Sequence, residues 1–352
     1  MKNNNYLNAI YKKPIEHTPI WIMRQAGRYL PEYREVRKKA GDSFISLMKN
    51  PDLACEVTLQ PLKRFKLDAA ILFSDILTIP EAMNLGLSFG KGEGPKISKP
   101  IVNKSDILNL PILDTANDLN YVYKAISLIK TKLNETVPLI GFSGSPWTIA
   151  TYMVEGGGSK TFTKIKSMMY KNPKELHLLL ENLTENIVDY LVNQVKTGVD
   201  AIKIFDSWGG VLGRREYNEF SLRYMIKIVE KLKSCFYDKK IPITIFTKNG
   251  GLWLEDIANS GCDMVGLDWT IDICDALDRI GDKVAVEGNM DPCVLFGTKD
   301  KIEQEVEYIL KQVNGRRGFV FNLGHGIQKE TPIESVSTLV NKVHHYSAGE
   351  CY

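Results

Sequence analysis

The sequence predicts an α/β fold, a single-domain (β/α)8 TIM barrel spanning residues 1–352 with extended loops after strands 1 and 2. Three observations predict it. Short β-branched runs recur eight times along the chain, helical patterns separate them, and polar or glycine-flanked residues follow run after run. Strands that alternate with helices are the sequence sign of parallel βα units. In a barrel of this kind the residues that follow the strands share one end, where the active site sits.

The runs are Ile20–Met23, Ala69–Phe73, Pro138–Phe142, Ala201–Phe205, Ile243–Phe246, Met264–Leu267, Val284–Glu287 and Phe319–Asn322. Between the third and fourth, Asn172 and Pro173 open a helix whose face carries Leu176, Leu179, Leu180, Leu183, Ile187, Val188 and Leu191 and which stops at Gly198. The last helix is expected to open at Thr331, with Thr331 and Glu334 spaced as a capping box, so that Thr331 is structural. A barrel needs about 250 residues. The surplus is placed in Arg24–Asn50 and in the Gly- and Pro-rich Ile76–Ala116, neither of which resembles a domain of its own.

Composition narrows the class. With 44% hydrophobic and 25% charged residues the chain is expected to fold throughout. A net charge of +3 without Lys/Arg blocks argues against a nucleic-acid partner. No apolar run is long enough to span a bilayer, and residues 1–10 carry neither a secretory h-region nor a transit pattern, so a cytoplasmic protein with no membrane partner is expected. Cys55, Cys235, Cys262, Cys274, Cys293 and Cys351 are scattered, which fits reduced and mostly buried thiols.

Residues at the ends of the runs supply the candidate site. Arg24 and Arg28 follow the first run, with Arg34 and Arg37 nearby. A charge cluster is usually a solvated face, but Gly27, Tyr29, Leu30 and Pro31 interrupt this one and make it a shaped loop. Its guanidinium forks suit carboxylates and suit phosphate equally, and Gly324 and Gly326 sit where barrels often bind phosphate. Asp75 lies between the apolar stretches 69–73 and 76–77, so it is partly desolvated and calls for a cation or several donors. His325 sits between two glycines that let its ring approach a ligand. Ser143, Asp206 and Asp291 occupy helix-cap positions and are read as scaffold. No H-x-x-E-H or His-x-Cys spacing occurs, so no metal site is predicted.

Two segments carry a specific resemblance. Residues 23–34 (MRQAGRYLPEYR) and 141–160 (GFSGSPWTIATYMVEGGGSK) resemble the two signature regions of the uroporphyrinogen decarboxylases. Smaller blocks at 72–76, 205–210, 288–292 and 321–326 agree, and the likeness extends from Tyr6 to Tyr346. The resemblance implies decarboxylation of the four acetates of uroporphyrinogen III, giving coproporphyrinogen III and CO2 in porphyrin and heme biosynthesis. It also implies a homodimer, no cofactor and a small-molecule tetrapyrrole as the partner. Arg24, Gln25, Ala26, Gly27, Arg28, Asp75, Tyr152, Phe205, Ser207 and His325 fall on the family's substrate-contacting positions. Of these Asp75, Arg24 and Arg28 carry the catalytic roles. The proton donor stays open between Tyr152, His325 and a bound water. Departures from the family pattern are Lys248-Asn249 and Met290. Two other readings are a zinc-dependent methyltransferase of related fold, which would need a His-x-Cys pair, and a tetrapyrrole carrier without turnover.

Overall fold

The computed structural model describes residues 1–90 and 94–349. Its strands are β1 (Ala70–Ile71), β2 (Leu87–Phe89), β3 (Pro95–Ile97), β4 (Leu139–Gly144), β5 (Ala201–Asp206), β6 (Ile243–Thr247), β7 (Met264–Gly266), β8 (Ala285–Met290) and β9 (Phe319–Leu323). Seven form one parallel sheet in the order β1-β4-β5-β6-β7-β8-β9, while β2 and β3 make a separate antiparallel pair in the second extended loop. Every residue of the seven is buried, as expected for a parallel sheet covered by helices.

The first of the eight runs is no full strand. It is reduced to one parallel bridge, Ile20 to Phe321, and this bridge closes the barrel. Phe321 N–H donates to the Pro19 carbonyl at 2.8 Å on one side, and Asp68 N–H donates to the Ile20 carbonyl at 2.8 Å on the other. The strand stops there because side-chain amides take the next backbone donors. Gln25 Oε1 accepts from Ile22 N–H at 3.1 Å and Asn322 Oδ1 from Met23 N–H at 3.0 Å. Gln25 Nε2 in turn donates to the Ala69 carbonyl at 3.1 Å, so one glutamine replaces ladder bonds between the two edges.

A 25-residue helix, Pro173–Thr197, has the predicted proline start and ends before Gly198. The capping box at the last helix does not form. That helix runs Ile333–Gly349, one residue later than predicted, which puts Pro332 at the cap position, and Pro332 has no side-chain acceptor. The Thr331 hydroxyl is buried without a hydrogen-bond partner. The extended loops hold short helices, among them Pro31–Lys39 and Phe44–Lys49 in the first and Thr78–Ala82 and Lys104–Leu108 in the second. Five described cysteines are free thiols, but only Cys55 and Cys262 are buried, which corrects the expectation of mostly buried thiols. Cys351 lies outside the described residues. Among those described, no helix is long and apolar enough to cross a membrane.

Buried side chains form a continuous core from Tyr6 to Val343. Inside the barrel it holds an ion pair, Lys203 with Glu287, whose side chains are 0% and 2% exposed. Glu287 also accepts from Trp21 Nε1 at 2.8 Å and Asn322 Nδ2 at 3.1 Å. Lys203 Nζ faces the rings of Trp21, Phe205 and Phe246 at 4.9, 5.5 and 5.8 Å.

Candidate active site

The C-terminal strand ends set the site residues around one rim. Ser207 follows β5, Lys248 follows β6, His325 lies two residues past β9, and Arg24 opens the loop after the Ile20 bridge. Arg24 has φ +64, a left-handed conformation that costs a non-glycine residue about 1–2 kcal/mol. The hydrogen bonds of Ile22, Met23 and Gln25 hold the backbone around it. Its side chain crosses Gly326 so closely that any side chain there would collide with Arg24 Cδ, so the glycine beside His325 makes room for the guanidinium.

The four loop arginines divide into two pairs. Arg34 donates to the Arg28 and Tyr29 carbonyls and Arg37 to the Asp42 carbonyl, so both brace the loop. Arg24 and Arg28 are exposed, and no hydrogen bond or salt bridge to another described residue uses their guanidinium groups. Gly27 and the half-buried Ala26 lie between them. Gln25 is fully buried, with its side chain committed to Ile22 and Ala69.

Asp75 sits just past β1, surrounded by protein yet half-buried by surface area, which is the signature of a group lining a concave mouth. Its Oδ1 accepts from Leu77 N–H at 2.8 Å. Burial raises the carboxyl above its usual range, opposed by the Leu77 N–H and by the charge of Arg24. It has no salt bridge to another described residue. Arg24 is thus the cation that Asp75 feels, and it remains free to bind something else.

His325 stacks on Phe246 with ring planes 8° apart and centroids 6.1 Å apart, and Trp269 flanks it at 6.5 Å. Burial, reinforced by the charges of Arg24 and Lys248, pulls the ring down to about 3. The imidazole is therefore neutral at ordinary pH, and its Nδ1 is buried without a partner. Phe205 packs edge-on to Phe142 and Phe246 at 5.6 and 6.0 Å, forming an apolar floor. Tyr152 lies on the helix Pro146–Glu155 with its ring 5.9 Å from Trp208, and it senses the charges of Asp75 and Arg24. Burial raises its hydroxyl, so the phenol keeps its proton. Ser207 is half-buried between Asp206 and Trp208.

Asp206 is scaffold. It is fully buried and accepts from the hydroxyls of Ser145, Thr148 and Ser221 at 2.6, 2.9 and 2.7 Å. Ser143 is not the expected helix cap: it lies within β4 and its hydroxyl donates to the adjacent Gly144 carbonyl, while Ser145 caps the helix Pro146–Glu155 and Asp291 caps the short helix Pro292–Phe296. Sequence reasoning placed Lys248 and Trp269 after strands at the active-site end without giving either a role, and it missed Phe246. Phe246 could have been found by register, since β5 and β6 pair it with Phe205. Trp269 and Lys248 carry no signal besides their place after a strand.

No three His, Cys, Asp or Glu side chains among the described residues at this rim gather at ligand distance. Among the described residues the one such group is His17, Asp68 and His344, at the opposite end of the barrel. The zinc-dependent reading therefore finds no ligand set beside His325.

Comparisons agree with the geometry. A family model described as Uroporphyrinogen decarboxylase (URO-D) matches residues 1–346. The uroporphyrinogen decarboxylases of Actinobacillus pleuropneumoniae serotype 5b and Histophilus somni strain 2336 are each 59% identical over 347 residues, covering 99% of this chain and 98% of the relative. Among solved structures, a methyltransferase from Methanosarcina mazei superposes with a TM-score of 0.81 over 98% of both chains. At 21% identity that likeness shows the barrel fold alone. A B12-independent methionine synthase from Shewanella sp. W3-18-1 superposes at 0.56 with 13% identity, over 85% of this chain and 89% of that one. With a full-length family match and relatives at this identity, the chain belongs to the uroporphyrinogen decarboxylase family.

Proposed function

We propose that this protein decarboxylates uroporphyrinogen III to coproporphyrinogen III in heme biosynthesis, acting as a single barrel domain, a cytoplasmic homodimer and without a cofactor. The observation that carries the reading is one carboxylate, Asp75, in the barrel mouth under the charge of Arg24, while the guanidinium groups of Arg24 and of Arg28 on the same loop pair with no carboxylate among the described residues. Such an arrangement suits a substrate that brings its own carboxylates and a ring that becomes cationic.

Each acetate loses CO2 by the same sequence. A proton adds to the electron-rich pyrrole carbon and the ring becomes an iminium. The acetate C–C bond then breaks, its electron pair neutralises the iminium, and CO2 leaves an exocyclic methylene. A second proton converts the methylene to methyl, and the ring carbon releases the first, so one proton is consumed per CO2. Asp75 stabilises both iminium stages from the pyrrole N–H side. Arg24 and Arg28 hold the carboxylates and fix the ring that reacts. Phe205, with Phe246 behind it, supports the apolar macrocycle. His325, lowered by burial and with Nδ1 free, offers a polar contact without a competing positive charge.

The test is anaerobic incubation of chelator-treated protein with uroporphyrinogen III, followed by separation of products by carboxylate number. Stepwise appearance of species with fewer carboxylates down to coproporphyrinogen is expected. Substrate bound but recovered unchanged from folded protein overturns the reading in favour of a carrier.

A further inference from the structure

At the barrel end away from Asp75, three ligand-bearing side chains converge from distant stretches of chain. His17 precedes the Ile20 bridge, Asp68 precedes β1, and His344 lies on the last helix. His17 Nε2 is 2.7 Å from Asp68 Oδ1 and His344 Nε2 is 2.9 Å from Asp68 Oδ2. The imidazole centroids are 4.3 Å apart, and one ligand atom from each of the three residues lies within 4.8 Å of the others. We propose that His17, Asp68 and His344 form a binding site for a divalent transition-metal ion of the zinc type, separate from the active site.

The geometry needs little adjustment. Ligands of tetrahedral zinc, at bond lengths of about 2.0–2.2 Å, stand about 3.3 Å from one another. The two N–O separations here are shorter by about half an ångström. Small rotations of the two rings, which are 23% and 19% exposed, supply that space. Two imidazoles and one carboxylate select a borderline cation over calcium or magnesium, which prefer oxygen shells. The carboxylate already has outer support, since Oδ1 accepts from Asn3 Nδ2 at 2.7 Å and Oδ2 from Ile20 N–H at 2.8 Å. An adjoining cavity of about 440 Å³ provides entry and leaves the fourth position open. Lys63, Lys66 and Lys132 line that cavity and favour an anionic fourth ligand, such as hydroxide or chloride. The metal would tie the N-terminal segment, the base of β1 and the last helix together, so its effect is on stability. The ligands are 51 and 276 residues from Asp68, which is why spacing motifs do not reveal them.

The full-length protein is stripped with a chelator and titrated with Zn²⁺ and with Co²⁺ at neutral pH. One ion per chain is expected, with a Co²⁺ visible spectrum of nitrogen and oxygen ligation. Saturating Zn²⁺ should raise Tm by several degrees and leave the decarboxylation rate within twofold. His17→Gln and His344→Gln keep a donor toward Asp68 but lack the imidazole ligand. Each should remain folded and lose at least tenfold in Zn²⁺ affinity together with the Tm increment. Absence of binding by the unaltered protein overturns the proposal. So does undiminished uptake in the double variant, or a thiolate charge-transfer band that places the ion on cysteines.

Discussion

Burial and Arg24 act on Asp75 in opposite directions, and this makes the acid side of the pH profile a probe of both residues. Burial raises the Asp75 carboxyl and Arg24 holds that rise in check. The proposed mechanism uses the anion, so on that reading activity should fall as pH drops through the Asp75 pKa. Arg24→Gln removes the opposing charge, and the acidic limb of kcat/KM should move to higher pH in addition to any loss of rate. Asp75→Asn removes the anion itself and should lower kcat by about 10²–10³ while the fold is kept, as judged by circular dichroism. At the other end of the barrel, burial alone would raise Asp68, but hydrogen bonds from His17 and His344 hold it at about 2. Its stabilising contribution of about 2 kcal/mol is present above pH 4 and lost as pH falls toward 2. His17 is raised from 6.5, chiefly by its hydrogen bond to Asp68. The extra stability from its charged form is complete below pH 6.5 and is lost as pH climbs through the raised value. Chelator-treated His17→Gln should therefore lose more stability relative to the parent at pH 6 than at pH 9, measured by urea unfolding.

Between elements, Asp206 joins the end of β5 to the helix Pro146–Glu155 and to Ser221 in the turn of π-helix at Asn218–Leu222. Asp206→Ala leaves three buried hydroxyls without their acceptor and should cost about 2–4 kcal/mol, read as a lower urea midpoint. Sequence patterning located every strand of the parallel sheet, because buried parallel strands are short continuous apolar runs whatever their neighbours, but it read the antiparallel pair β2–β3 as plain loop. It overstated the first strand for a reason that lies outside the run. The amides that end the ladder at Ile20 belong to Gln25 and Asn322, and Asn322 is 299 residues from the backbone group it occupies. The Thr331 cap failed at one-residue resolution, since a proline next to a threonine does not say which of the two the helix leaves outside.

Across the whole barrel, polar groups collect at three levels. His17, Asp68 and His344 lie at the base, Lys203 with Glu287 in the middle, and Asp75 with Arg24 at the mouth. The middle pair links to the mouth through Asn322, which donates to Glu287 and accepts from Met23 N–H next to Arg24. Lys203→Met leaves a buried carboxylate without its cation and should cost about 3–5 kcal/mol, whereas Lys203→Met with Glu287→Gln should recover much of that loss in the same unfolding experiment. The mouth was legible in the sequence because a barrel turns the end of each run into a rim position, so Arg24, Asp75, Ser207 and His325 needed only the strand count to be grouped. The base and middle were not. Their members are brought together by closure of the sheet, and nothing local in Lys203 or Asp68 records the partner that closure delivers.

With the proposed role of Arg24, its left-handed backbone sets stability selection against catalysis at that position. Glycine alone takes φ +64 without steric cost, so in a library covering residue 24 the most heat-resistant clone should be Arg24→Gly, and it should be deficient in turnover. A thermostability screen run without an activity readout would enrich that clone, and consensus or ancestral redesign of this barrel should hold residue 24 fixed.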